Sequence, residues 1–209
     1  MNEALRYLGA KHSDSVTLAT VHAMFDWLEE NAGTEAAFGR FGCEIFGNTV
    51  ILGGSYEVIS TSLAAHLANC TEAALFAATL GAAVDREMSR LTSKSLYEAT
   101  VFDACANAFI EAVCDKRCDE FANSLKGDNL HTTPRFSPGY GDLPIDSQRL
   151  FFALLRPERR LGITLSNALT LIPVKSVTAF IGISPLPCDV GKAGCEGCSS
   201  RETCRYRRS

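Results

Sequence analysis

The stretch from Leu96 to Leu125 constrains the fold most, because it is the longest helical pattern in the chain. It sets Phe102, Cys105, Phe109 and Val113 on one face, and its many alanines let a neighbouring element approach closely. Gly127 and Asn129 end it. What surrounds it reads as a mixture of shorter helices and strands. Val16 to Asn31 repeats apolar residues at helical spacing behind a capping Asp14, and Ser60 to Asn69 has the pattern of a short helix. Cys43-Glu-Ile-Phe and Thr49-Val-Ile-Leu are β-prone runs joined by Gly47-Asn48, the signature of a tight hairpin. Ala73 to Leu80 is a compact apolar run that fits a buried strand or a helical piece equally well. Pro144 suits a helix start, Gln148 to Leu155 is amphipathic, and Pro157 is expected to stop it. Val177 to Ile183 alternates as a strand does. Together these predict an α+β fold, with helices packed on a twisted, mainly antiparallel sheet.

With 209 residues, 46% of them apolar, the chain has material for one sizeable core, expected over residues 1–186, with a cysteine-rich tail at 187–209. No run approaches the roughly 20 apolar residues of a membrane-spanning helix. Met1 to Asp14 lacks the apolar segment of a signal peptide, so a cytoplasmic location and no membrane partner are expected. A net charge of -4 gives no general attraction to nucleic acid. Nine cysteines without a secretory signal point to a reducing compartment, where clustered thiols more often bind metal than form disulfides. Cys43, Cys70, Cys105, Cys114 and Cys118 are dispersed among apolar residues, as buried thiols are. Cys188, Cys195, Cys198 and Cys204 instead form C-x6-C-x2-C-x5-C, which suits a four-thiolate zinc site or an iron–sulfur cluster. Zinc and iron–sulfur remain equal alternatives on spacing alone.

Between the long helix and the last strand, His131 to Pro144 holds three prolines and two glycines, making an irregular but constrained loop of the kind that carries binding sites. Within it, Arg135-Phe-Ser-Pro-Gly-Tyr140 has an Arg-x-x-x-Gly-Tyr pattern that resembles the activation (reactivation) domain of cobalamin-dependent methionine synthase, in its compact stand-alone form. The resemblance continues through Leu154-Leu-Arg-Pro-Glu-Arg-Arg-Leu-Gly-Ile-Thr-Leu-Ser and Pro173-Val-Lys-Ser-Val-Thr-Ala-Phe, and upstream through Thr79-Leu-Gly81 and Ala108 to Asp115. It covers roughly Ala73 to Ser184.

The resemblance implies a domain that binds S-adenosylmethionine and supports reductive methylation of a corrinoid held by another protein, either methionine synthase or a related corrinoid methyltransferase. No Asp-x-His-x-x-Gly motif for cobalamin is present, so the cobalamin would come with that partner. An electron donor such as flavodoxin or ferredoxin would be a further partner. Such a domain belongs to a methyltransferase system for methionine biosynthesis and would not turn over alone.

For this ligand, Arg135 can grip the α-carboxylate as a bidentate fork, Pro138 stiffens the loop, Gly139 admits backbone close to the ligand, and Tyr140 offers an aromatic face to a cation. The resemblance also implies an acidic residue on the preceding helix. Asp103, Asn107 and Glu111 are its candidates: a gapless reading puts Asn107 at the position, and Glu111 lies one turn further along the same face. The alternative to this reading is a metal or iron–sulfur adaptor for a corrinoid protein, with the cysteine tail as its working part.

Overall fold

The computed structural model describes residues 1–9, 14–188 and 202. Its centre is a six-stranded, wholly antiparallel sheet in the order β3-β2-β1-β4-β8-β5. The strands are β1 (Glu35–Phe46), β2 (Thr49–Leu52), β3 (Tyr56–Ile59), β4 (Glu72–Thr79), β5 (His131–Thr132) and β8 (Ser176–Ser184). A separate two-stranded ribbon joins β6 (Thr164–Leu165) to β7 (Leu171–Ile172). The expected α+β architecture is present.

Helices cover both faces of the sheet. On one lie α1 (Asn2–Tyr7), α2 (Ser15–Asn31), α4 (Ala82–Lys94) and the 30-residue α5 (Leu96–Leu125). On the other lie α3 (Thr61–His66) and α6 (Gln148–Leu154), with α7 (Pro157–Arg160) following. This double cover explains why Ala73 to Leu80 shows no alternation. In β4, Ala74, Phe76 and Ala78 enter the α5 layer while Ala73, Leu75 and Ala77 enter the α3–α6 layer. Period-2 patterning marks a strand with one wet face, and β4 has none, so it is the strand alternative that holds there. Alanines of β4 and of α5 share this layer's core, the close packing expected of the α5 alanines.

The cap expected at Asp14 is present, and those at Ser60 and Ser95 carried no expectation. Asp14 accepts from Thr17 N at 2.7 Å, and the Ser60 and Ser95 hydroxyls cap α3 and α5. Gly47-Asn48 turns the β1–β2 hairpin, in register Phe46 to Thr49. Three features differ from expectation. β1 extends back to Glu35 through Gly39 and Gly42, residues poor in β propensity that are held by pairing with β4 along eight positions. A Cβ at Gly39 would press to 3.2 Å from Leu155, so the glycine belongs to the packing. Pro157 opens α7 at its first position rather than merely ending α6, after Arg156 takes a left-handed conformation. The helices α1 and α4 carried no expectation.

Candidate functional site

The loop between α5 and α6 is pinned to the sheet before it turns outward. Thr132 pairs with Ile183, Thr133 exchanges hydrogen bonds with Gly182, and Phe136 N and O bond to Phe180 at 2.9 and 2.8 Å. Phe136 falls on the α3–α6 side, tilted against the His66 ring at 4.8 Å and edge-on to Tyr140 at 5.8 Å. His66 Nε2 lies 2.8 Å from Pro134 O, and burial holds this histidine below its ordinary value.

Arg135 points the opposite way, to α5. Its Nη2 donates to Glu111 at 2.8 Å and to Asp115 at 2.8 Å. The guanidinium is mostly covered, with the side chain 19% exposed, whereas Glu111 and Asp115 are 41% and 63% exposed. Its Nη1 is buried with no hydrogen-bond partner among the described residues. A permanently charged fork that uses one prong and leaves the other dry is short of an anion.

Asp103, Asn107, Glu111 and Asp115 recur every four residues and so form one polar stripe along α5. Its first half is occupied by Lys175, whose Nζ reaches Asp103 and Asn107, both at 2.7 Å. Asn107 in turn donates to Asp103 at 3.0 Å. Lys175 is placed by the turn before β8, where Val174 N donates to Asp85 of α4 at 2.9 Å. Of the three acidic-face positions raised from sequence, Glu111 therefore meets the loop arginine, while Asp103 and Asn107 bind a lysine. Asp115 and Lys175 were not singled out beforehand. The four-residue recurrence along α5 is the signal that marks Asp115.

The rest of the motif forms a tight turn. Tyr140 N donates to Ser137 O, Leu143 N to Tyr140 O, and Gly139 N to Leu143 O. The Gly139 amide is thus already engaged within the loop. The glycine is required by its φ of +92°, with only Ile145 near an added Cβ. Pro138 is buried and Tyr140 is 57% exposed, so the stiffener faces in and the ring faces out.

Two neighbours that sequence reading missed fix this turn. Asp142 accepts from Ser60 Oγ at 2.5 Å, Thr61 N at 2.9 Å and Ser62 N at 2.9 Å, which caps α3 from outside. These bonds hold its carboxyl well below the usual carboxylate range, the Ser60 hydroxyl first among them. Gly141 passes so close that an added Cβ would lie 2.5 Å from Ser62 Oγ.

No family model and no curated protein matches the sequence. Among solved structures the chain is similar to the crystal structure of the MetH reactivation domain bound to AdoHcy, at a TM-score of 0.63 and 16% identity, over 80% of this chain and 64% of that one. The chain has the fold of that domain. It spans less than two thirds of the neighbour's length.

Among the described residues no group of three or more metal-ligating side chains converges, and no helix is long and apolar enough to cross a membrane. Of the four tail cysteines only Cys188 is described; Cys195, Cys198 and Cys204 lie outside the described residues.

Proposed function

We propose that this protein binds S-adenosylmethionine at the Arg135 loop and supports reductive methylation of a corrinoid carried by a separate methionine synthase or related methyltransferase. The observation that carries the reading is the Arg135 fork, seated in a loop of the reactivation-domain pattern on a reactivation-domain fold, with one buried nitrogen still lacking an acceptor.

The cluster suits the amino-acid end of such a ligand. An α-carboxylate can take the open side of the guanidinium, and an α-ammonium can take Glu111 or Asp115 beside it. One cation flanked by two anions thus matches a zwitterion, charge for opposite charge. Tyr140 adds an exposed ring next to the turn, able to lie against a sulfonium or an adenine. The Phe136 anchor and the Asp142 cap hold the loop in advance, so little ordering entropy is lost on binding.

The partner's reduced corrinoid supplies the nucleophile for methyl transfer. This chain contributes position and charge, with no acid or base needed at the methyl group.

Calorimetric titration of S-adenosylmethionine under anaerobic conditions, on wild type and Arg135→Ala, tests the reading. Saturable wild-type binding that Arg135→Ala weakens by about 1.5 to 3 kcal/mol, the worth of a charged hydrogen-bonded contact, is the expected result. Absence of wild-type binding, or equal affinity in the variant, overturns it.

A further inference from the structure

The loop that carries Arg135 is braced from the opposite side of the sheet by one helix, α3. Asp142, just past the motif, accepts from the amides of Thr61 and Ser62 where that helix starts. His66, its last residue, meets both neighbours of the arginine. The imidazole Nε2 stands 2.8 Å from Pro134 O, and the ring is tilted against that of Phe136 with 4.8 Å between centroids. A carbonyl oxygen only accepts, so Nε2 is the nitrogen that carries the hydrogen.

Arg135 takes its direction from these neighbours. Among the described residues its own backbone makes no hydrogen bond, whereas Thr133 N bonds to Gly182 O and Phe136 N and O bond to Phe180. Successive side chains of an extended segment leave on opposite faces, so a Phe136 ring held on the α3 side sends Arg135 to α5. Pro134 sets the other limit. Having no N–H, it is tied down through its carbonyl, which accepts from Thr133 Oγ1 at 3.1 Å and from His66. The threonine bond stays within the loop; the histidine bond crosses 68 residues of sequence and is the one that reaches α3.

We propose that His66 is the positioning residue for Arg135: its Nε2–H holds the Pro134 carbonyl so that the guanidinium stays against Glu111 and Asp115 with its open nitrogen presented to the carboxylate of the ligand. The ligand's identity rests on the S-adenosylmethionine reading; the brace rests on the contacts themselves. His66 acts through the arginine and touches no ligand. A guanidinium displaced by about 1 Å gives up the second prong of a bidentate contact, so a lost brace is read as lost affinity.

Two substitutions separate the donor from the ring. His66→Gln keeps an amide N–H for Pro134 O, while His66→Phe keeps a ring against Phe136 and has no donor. Titration calorimetry with S-adenosylmethionine should find His66→Gln within about twofold of wild type and His66→Phe weaker by about three- to tenfold, the worth of one neutral hydrogen bond. In the Arg135→Ala background His66→Phe should cost nothing further, because its effect passes through the arginine. Hydrogen exchange needs no ligand: the Phe136 amide should exchange faster in His66→Phe and at the wild-type rate in His66→Gln. Unchanged affinity or unchanged exchange in His66→Phe, equal losses in both variants, or a further loss on top of Arg135→Ala would each overturn the proposal. Wild-type protein that does not bind S-adenosylmethionine overturns the ligand reading instead, and the exchange comparison then decides the role of His66 by itself.

Discussion

Asp142 shows how much one exposed side chain can organise. Its carboxylate gathers two backbone amides and a hydroxyl at the start of α3, from Ser60, Thr61 and Ser62, the three residues that follow the end of β3 at Ile59. Because these donors favour the charged form, its folded pKa lies below the unfolded value of about 3.9. The sign follows: the group stabilises the fold fully above that value, and the contribution is lost as pH falls through the folded pKa. Asp142→Asn should lower the melting temperature at neutral pH and flatten the acid side of the stability curve below about pH 4. Parallel curves for wild type and variant, followed by circular dichroism from neutral pH downward, would show that the cap does not carry this linkage. Arg135 teaches the complementary lesson. Its charge is paired on one side only, and its partners are partly exposed, so the pairs themselves add little to stability and leave the fork available to a ligand.

At the scale of elements, the binding loop is built against α3 as much as against the sheet. Gly141 is the point of closest approach, at φ +55° with Ser62 behind it. Gly141→Ala combines a left-handed non-glycine residue with a collision, and a loss of about 1 to 3 kcal/mol is expected, measured by urea unfolding, with weaker ligand binding as the loop lifts. An unchanged urea midpoint would mean that loop and helix do not depend on each other. The sequence made the loop, its arginine and the long helix visible, because proline, glycine and helical periodicity act locally. It made the β1–β2 hairpin, the cap at Asp14 and the strand at Val177 to Ile183 visible for the same reason. It concealed the first half of β1, where Gly39 and Gly42 have a strand conformation only because β4 lies beside them. It concealed the partners of the stripe on α5 as well. Lys175 reaches Asp103, and Arg135 reaches Glu111, across separations that no local pattern records.

At the scale of the whole molecule, β4 belongs to two cores at once. Phe76 enters one layer and Leu75 the other, both fully buried, and on the neighbouring strand Phe180 and Ile181 divide in the same way. Neither layer can lose its packing without stripping one face of the central strands, so the two should unfold as a single unit. The chain contains its own reporter for this. Trp27, the sole tryptophan, stands edge-on to Phe102 at 5.3 Å in the α5 layer, while Phe151 packs on Phe180 at 4.8 Å in the other. Phe151→Ala removes a fully buried ring, and a cost of about 3 to 5 kcal/mol is expected. If the sheet couples its two faces, tryptophan fluorescence and far-UV circular dichroism should shift to the same lower urea midpoint, although the substitution lies across the sheet from the fluorophore. A tryptophan transition left at its wild-type midpoint while the dichroism moves would show two layers that unfold separately, with β4 as a shared wall rather than a shared core.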